Sequence, residues 1–210
     1  MKKKVLIISG GISKERLISL DTGNQVFKEL KKNGYRVKIS EPDNYLEKNI
    51  KIFKPNVIFN ALHGQFGEDG YIQTILDSFK IPYTHSSAIA SSIAMDKEIS
   101  KKLFIKNKIK TPKFFTYSYD ITKSNLIKKI NKDLRFPVVI KPLNEGSSVN
   151  VYISSKKTLD KILYKLKVYK KVLIEEFIGG REIQVAIMGD KKLGAIELKP
   201  KRKFYDYKAK

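Results

Sequence analysis

The stretch that decides the fold lies at residues 136–154 and reads FPVVIKPLNEGSSVNVYIS. Two apolar runs flank a polar loop, which is the pattern of two antiparallel strands joined by a connection. Turn chemistry alone explains Asn144, Gly146 and Asn150, because these residue types tolerate left-handed backbone angles. It does not explain a lysine at the exit of a buried strand, Lys141, or the two adjacent serines. The loop is therefore either a simple turn or a loop that holds an anion.

The segments around this loop predict two helices packed on an antiparallel sheet over residues 85–180. Leu126 and Ile130 recur at helical spacing on one apolar face of a segment. Glu175 and Glu176 are adjacent on a strand, so alternation sends them to opposite faces. The predicted elements are a helix over 97–107 capped by Asp96, a helix over 124–134, a strand pair at 136–143 and 151–154, a helix over 157–169, a strand over 171–178, and a hairpin over 181–198 that begins a third domain, residues 181–210.

Strands and helices alternate over residues 1–84, which predicts a small parallel sheet covered by helices. The predicted elements are strands over 5–9, 35–40, 56–62 and 81–84 and helices over 14–32 and 71–80. Open sheets of this kind bind ligands beyond the carboxyl ends of their strands. Two glycine-containing motifs fall there, SGGIS at 9–13 and HGQFGEDG at 63–70. The predicted fold class is α/β, a small parallel βαβ domain followed by an α+β domain.

The chain of 210 residues is strongly basic, with 43 Lys and Arg against 21 Asp and Glu. A formal net charge of +22 suggests a nucleic-acid partner. However, only five of the basic residues are arginine, whose planar guanidinium reads bases and phosphates. The lysines are spread along nearly every polar segment. A solvated surface is the simpler interpretation, and we expect no nucleic-acid partner.

Residue usage also narrows the class of site and the compartment. Cysteine is absent, which excludes disulfides and thiolate metal sites. His63 and His85 are too few for a histidine-rich zinc site. The start, MKKKVLIISGG, has the charge of a signal peptide but too short an apolar run. Because no run approaches membrane-spanning length, we expect a cytoplasmic protein without a membrane partner.

Six motifs in order resemble the D-alanine–D-alanine ligase family of ATP-grasp enzymes. They are GGISKERLISL at 10–20, ALHGQFGEDGYIQ at 61–73, IPYTHSSAIASSIAMDK at 81–97, VVIKPLNEGSSV at 138–149, LIEEFIGGREIQVAI at 173–187 and FYDYKAK at 204–210. The resemblance covers essentially the whole chain. It implies an ATP-grasp central domain at 85–180 and an enzyme of peptidoglycan synthesis, a homodimer when full length. Such an enzyme joins two D-alanines with ATP through an acyl phosphate.

The resemblance assigns substrate and catalytic roles to three residues. It makes Glu15 the carboxylate that holds the ammonium of the first D-alanine, although an acid at a helix start is also favourable by itself. It makes His63 a substrate-positioning residue, although a lone histidine is more often structural. It places Ser147 in a hydrogen-bond network with Glu15. Ser147 is not a covalent nucleophile, because the chain shows no Ser/His/Asp order that would activate it.

The resemblance also assigns a set of nucleotide-binding residues. They are Lys97, Lys141, Ser147, Ser148, Glu175, Ile178, Glu182 and Lys210. It implies that Lys97 and Lys141 contact the phosphates of ATP and that the two serines cover the triphosphate. Glu175 would accept from the adenine amino group, the Ile178 backbone would read the ring edge, and Glu182 would bind the ribose. Taken singly, a lysine in so basic a chain is more simply a surface residue.

Three positions depart from the family pattern, and the family's metal ligands lie beyond the sequence. His85 and Asn150 stand where glycine is usual, and Phe66 stands where a small residue is usual. Lys210 falls within the loop that closes over the active site of the family, whose magnesium-binding Asp, Glu and Asn come later. The resemblance thus implies ATP and Mg²⁺ with no metal ligand among these residues. We expect the 210 residues alone to be inactive.

Two other functions stay open on the sequence. Another ATP-grasp ligase would keep the nucleotide residues and join a carboxylate to a different amine. A non-catalytic basic module would instead bind DNA or RNA in a salt-sensitive way. A panel of amino and hydroxy acids separates the first alternative from a D-alanine ligase, and ATP binding separates the second.

Overall fold

A computed structural model describes residues 2–199 of the chain. The chain divides into two compact units, Met1–Ser100 and Lys101–Lys210. Each unit has a hydrophobic core of its own. Helices and both parallel and antiparallel sheets are present, which confirms the predicted α/β class. The domain boundaries predicted after residues 84 and 180 stay predictions, and Lys210 lies outside the described residues.

The first unit is built on a three-stranded parallel sheet. Its elements are β1 (Lys4–Ile8), α1 (Arg16–Lys32), β2 (Arg36–Ser40), α2 (Leu46–Phe53), β3 (Val57–Asn60), α3 (Tyr71–Ser78), α4 (Ala88–Met95) and the start of α5 (Lys97–Lys106). The strand order is β2-β1-β3, and β1 pairs in parallel with both neighbours. Residues 5–8 of β1 are all buried, as expected for a central strand covered on both faces. The predicted parallel sheet is confirmed.

The predicted fourth strand of this unit, at residues 81–84, is wrong. In the structure this segment forms one isolated parallel bridge, between Ile58 and Tyr83. Pro82 lacks the N–H that a strand ladder needs, and the segment is short. The sequence also failed to predict α2 and α4. The latter consists largely of alanine and serine and has no clear apolar stripe.

The second unit carries a four-stranded antiparallel sheet. Its elements are the remainder of α5, β4 (Phe114–Tyr117), α6 (Lys123–Asp133), β5 (Val138–Pro142), β6 (Tyr152–Ser154), α7 (Leu159–Leu166), a 3₁₀ turn (Lys167–Tyr169), β7 (Val172–Glu176), β8 (Glu182–Met188) and β9 (Lys191–Leu198). The strand order is β4-β7-β5-β6, with every neighbour antiparallel. Val138 lies opposite Ser154, so the predicted strand pair on either side of the serine loop is confirmed.

The core of the second unit lies between this sheet and helices α6 and α7. Leu126 and Ile130 from α6 and Leu166 from α7 are fully buried against Ile140 and Ile174 of the sheet. The helical spacing seen in the sequence therefore marks the face that packs on the strands. Strands β8 and β9 form the predicted hairpin as a separate, largely exposed two-stranded sheet.

No helix within residues 2–199 is both long enough and apolar enough to cross a lipid bilayer.

We predict that Leu166→Ala destabilises the second unit by about 2–5 kcal/mol, because it removes buried methyl groups and leaves a cavity. The side chain of Leu166 is 0% exposed, whereas Tyr164 on the same helix is 81% exposed. Tyr164→Ala is therefore the matched control, with an expected change within about 0.5 kcal/mol. Urea unfolding followed by circular dichroism measures both. Equal losses in the two variants would contradict the packing described for α7.

Candidate functional site

Glu15 lies where the glycine turn after β1 meets the loop after β3. It directly precedes α1, is buried, and donates its backbone N–H to Ser13 Oγ at 3.2 Å. Gly64 is its close neighbour, because a Cβ built there would lie 2.9 Å from Glu15 Oε2. The φ of +67° at Gly64 also favours glycine. The two motifs predicted at the carboxyl ends of parallel strands thus meet at this carboxylate.

Hydrogen bonds from several elements fix the turn that carries Glu15. Ser19 Oγ accepts from the Gly10 N–H and donates to the Ala61 carbonyl, each at 2.8 Å. These bonds connect the ends of β1 and β3 through α1. Arg16 and Glu41 form two parallel bonds of 2.8 Å, the bidentate geometry of a strong guanidinium–carboxylate pair. The position of Glu15 is therefore set by tertiary contacts as well as by its helix.

His63, at the start of the loop after β3, is half-buried and has a partner at each ring nitrogen. Nε2 lies 3.1 Å from Thr22 Oγ1 of α1, and Nδ1 lies 3.8 Å from Glu68 Oε1. These contacts orient the imidazole between α1 and the loop of residues 63–70. The structure thus places His63 in the same unit and on the same loop as Gly64, the neighbour of Glu15.

Two amide side chains that the sequence gave no reason to single out hold this loop. Asn60 Nδ2 donates to the Gly67 carbonyl at 2.9 Å, and Gln73 Nε2 donates to the same carbonyl at 2.7 Å. Asn60 Oδ1 also accepts from the Leu62 N–H at 3.1 Å. Asn60 and Gln73 are both buried. The amide nitrogens of both buried side chains thus find a partner in the loop backbone, which fixes the path of the loop.

The three positions that depart from the family pattern all have left-handed backbones. The φ angles are +72° at Phe66, +82° at His85 and +56° at Asn150. Glycine adopts such angles without a steric penalty, whereas asparagine tolerates them and a bulky side chain is strained there. Glycine would therefore be favoured on backbone grounds at all three positions.

His85 accepts a hydrogen bond at Nδ1 from Asn60 Nδ2, 2.9 Å away. Asn60 also donates to the Gly67 carbonyl and accepts from the Leu62 N–H, and these two bonds identify which amide atom is the nitrogen. Since this nitrogen donates to His85, Nδ1 of His85 accepts and carries no proton. Desolvation lowers the pKa of His85 below its ordinary value of 6.5, the nearby Glu68 carboxylate opposes this shift, and His63 adds to it. Geometry and electrostatics both favour the neutral ring.

In the second unit, Glu175 lies between two lysines. Its Oε2 accepts from Lys101 Nζ at 2.8 Å, and its Oε1 accepts from Lys141 Nζ. Glu175 is buried, whereas the adjacent Glu176 is only partly buried and accepts from the Lys113 N–H at 3.2 Å. The predicted separation of the two acids onto opposite faces is confirmed. Lys101 is the member of this cluster that the sequence did not identify.

The serine loop contains a tight turn built on two left-handed serines. Val149 N–H donates to the Gly146 carbonyl at 2.9 Å, and the central residues Ser147 and Ser148 have φ of +47° and +57°. Positive φ at both central positions is the signature of a type I′ turn. Of the three residues expected to tolerate left-handed angles, Asn150 adopts one at +56°, whereas Asn144 and Gly146 are not among the residues with positive φ. The sequence did not indicate the left-handed serines.

A tyrosine outside the loop holds its two sides. Tyr169 Oη donates to Glu145 Oε1 at 2.8 Å and accepts from Asn150 Nδ2 at 2.6 Å. Tyr169 belongs to the 3₁₀ turn after α7 and has no sequence motif around it. The serine loop is therefore positioned from the core of the unit as well as from strands β5 and β6.

The remaining residues assigned from the resemblance lie on other segments of the chain. Lys97 begins α5 and belongs to the first unit. Ile178 and Glu182 are exposed, after β7 and at the start of β8. Lys210 is not among the described residues. The roles assigned to all of these side chains stay predictions.

Metal ligands were not expected in this chain. Among residues 2–199, no group of three or more histidine, aspartate or glutamate side chains could hold a metal ion.

Comparison with known proteins connects both units to one family. The sequence profile described as "D-ala D-ala ligase C-terminus" matches residues 103–210, and "D-ala D-ala ligase N-terminus" matches 38–86. The D-alanine–D-alanine ligase of Pelagibacter ubique (strain HTCC1062) is 71% identical over 210 residues, which are 100% of this chain and 69% of that protein. The chain belongs to the D-alanine–D-alanine ligase family. The resemblance seen in the six motifs is confirmed.

Solved structures of the D-alanine–D-alanine ligase family show the same fold. That of D-alanine–D-alanine ligase from Bacillus anthracis matches with a TM-score of 0.84 and 34% identity, covering 99% of this chain and 68% of that one. The same ligase complexed with ATP matches with a TM-score of 0.81 and 32% identity, covering 97% and 68%. The ligase of Zymomonas mobilis is 44% identical, and the matched region is 65% of its length. The chain thus spans about two thirds of the length of its relatives.

We predict that acidification destabilises the first unit partly through His85. Its pKa in the folded protein is lower than 6.5, so the unfolded chain binds the proton more readily. The contribution to stability is therefore fully present above 6.5 and is lost as the pH falls through the folded pKa. His85→Gln stays neutral throughout. Thermal unfolding at about pH 7.5 and about pH 5.5 should show a smaller loss of melting temperature in His85→Gln than in the unchanged chain. Equal losses would contradict a neutral, hydrogen-bonded His85.

Proposed function

We propose that this chain serves the ATP-dependent ligation of two D-alanine molecules to D-alanyl-D-alanine, a precursor in peptidoglycan synthesis. The observation that carries the proposal is the buried Glu15 carboxylate against Gly64, in a chain 71% identical to a D-alanine–D-alanine ligase. Open parallel sheets bind ligands beyond the carboxyl ends of their strands, and a carboxylate at this edge carries the charge that attracts an ammonium group. We further propose that the full-length enzyme is a cytoplasmic homodimer and that it binds neither nucleic acid nor a membrane.

The first D-alanine would bind in the first unit through its ammonium group. Glu15 supplies the negative charge, and His63, oriented by Thr22 and Glu68, would position the same substrate. Ser147, which belongs to the second unit, would help to orient the substrates. This assignment of Ser147 follows from the family resemblance.

ATP would bind with its adenine near Glu175 and its phosphates near the serine loop. Lys141 and the Ser147–Ser148 turn lie on consecutive parts of the chain, at the end of β5 and just after it. Two non-glycine residues in left-handed conformations cost about 1–3 kcal/mol each, and such strain often marks a ligand-binding loop. Lys97 and Lys210 would add phosphate contacts, the Ile178 backbone would contact the adenine edge, and Glu182 would bind the ribose. The ATP complex of the Bacillus anthracis ligase supports a nucleotide site in this fold.

The reaction would proceed in two displacements on the substrates. A carboxylate oxygen of the first D-alanine attacks the γ-phosphorus of ATP, the bond to the β,γ-bridging oxygen breaks, and ADP leaves. The amine of the second D-alanine then attacks the acyl carbon, loses a proton, and expels inorganic phosphate. The protein contributes by positioning the reactants and compensating charge, so no side chain is a covalent nucleophile.

Magnesium would be needed to neutralise phosphate charge in such a reaction. Among residues 2–199, no group of three or more acidic or histidine side chains could hold it. We propose that the metal ligands lie in the part of the family's length beyond this chain. The isolated 210 residues should therefore bind nucleotide weakly and show no D-alanyl-D-alanine synthesis.

We predict that Glu15→Gln impairs the use of D-alanine in a protein of the relatives' full length. The variant keeps the shape but removes the charge that pairs with ammonium, an interaction worth about 1.5–3 kcal/mol. The kcat/KM for D-alanine should fall about ten- to a hundred-fold while the KM for ATP changes less than about twofold. Phosphate release and dipeptide formation measure both.

Asp21→Asn, an exposed carboxylate on the same helix, is the matched control and should leave both constants unchanged. Absence of dipeptide synthesis by the unmutated full-length protein would refute the proposed function. Equal loss of D-alanine and ATP use in Glu15→Gln would refute the substrate role of Glu15.

A further inference from the structure

Of the two lysines that contact Glu175, Lys101 is the more deeply buried, and the proposed function gives it no role. Its Nζ lies 2.8 Å from Glu175 Oε2 and 2.7 Å from Thr111 Oγ1, and it lies 4.9 Å from the ring centre of Phe114. Its side chain is only 8% exposed. The ammonium therefore has a carboxylate, a hydroxyl and an aromatic face around it, which fixes its position.

The two lysines of the cluster differ in accessibility. The side chain of Lys141 is 21% exposed and contacts the other oxygen of Glu175, whereas that of Glu175 is 8% exposed. Lys141 also lies near the end of β5 that leads into the serine loop, where we propose that the phosphates bind. If Lys141 turns toward a phosphate, Glu175 keeps a positive partner only through Lys101. A buried carboxylate left without any cation would be strongly unfavourable.

We infer that Lys101 is a positioning residue of the nucleotide site, which holds one oxygen of Glu175 so that the other faces the amino group of adenine. This inference rests on the proposed function. It assigns Lys101 a part in the choice of nucleotide, because a fixed carboxylate accepts from the 6-amino group of adenine and repels the 6-carbonyl oxygen of guanine. Lys141 is then free to contact phosphate without leaving Glu175 uncompensated.

The test is calorimetric titration of a protein of the relatives' full length with ATP and, separately, with GTP. Lys101→Met should weaken ATP binding about tenfold and GTP binding far less, so that the ratio of the two affinities falls. Lys101→Arg should restore the ratio to within about threefold, because it retains the cation. Lys106→Met, an exposed lysine on the same helix, should leave both affinities unchanged.

The possible results distinguish a failure of this inference from a failure of the proposed function. An unchanged ratio in a folded Lys101→Met, or an equal loss of both nucleotides, overturns the inference and leaves the proposed function intact. Absence of ATP binding by the unmutated, folded full-length protein overturns both the inference and the proposed function. If Lys101→Met does not fold, Thr111→Val removes one anchor of the ammonium and should lower the ratio about threefold. An unchanged ratio in a folded Thr111→Val likewise overturns the inference.

Discussion

The second unit depends on one constraint, a carboxylate buried in the middle of its sheet. Glu175 lies on β7, which pairs with β4 on one side and β5 on the other. Its two lysine partners come from α5 and β5, so one charge cluster connects three elements. Removing one member of such a cluster leaves an uncompensated buried charge, which is far more costly than losing a surface ion pair. Two of the residues proposed for the nucleotide site, Glu175 and Lys141, belong to this cluster.

The first unit has a comparable constraint at the ends of its parallel strands. A Cβ at Gly64 would lie 2.9 Å from Glu15 Oε2, so a side chain there would displace the carboxylate. The amides of Asn60 and Gln73 hold the loop through the Gly67 carbonyl. Parallel strands end at a common edge, and this topology brings the glycine turn and the loop together. In both units a buried acid is thus positioned by backbone and side chains from several elements.

The sequence predicted the features that depend on local pattern. Alternation of strands and helices indicated the parallel sheet, and strand periodicity placed Glu175 and Glu176 on opposite faces. Residues 81–84 were predicted to be a strand because their apolar side chains resemble one in sequence. In the structure they form an isolated bridge at Tyr83. Lys101 and Tyr169 were missed because their importance comes from contacts across the fold. In a chain so rich in lysine, no local pattern distinguishes a buried lysine from a solvated one.

The central claim, that a D-alanine carboxylate takes the phosphoryl group of ATP, is tested most directly by following oxygen atoms. D-alanine labelled with ¹⁸O in its carboxylate is supplied with ATP to a protein of the relatives' full length, and both products are analysed by mass spectrometry. The two displacements proposed above predict that one labelled oxygen appears in inorganic phosphate for each dipeptide formed, because the bridging oxygen of the acyl phosphate leaves with phosphorus. Dipeptide formed with unlabelled phosphate would contradict the account.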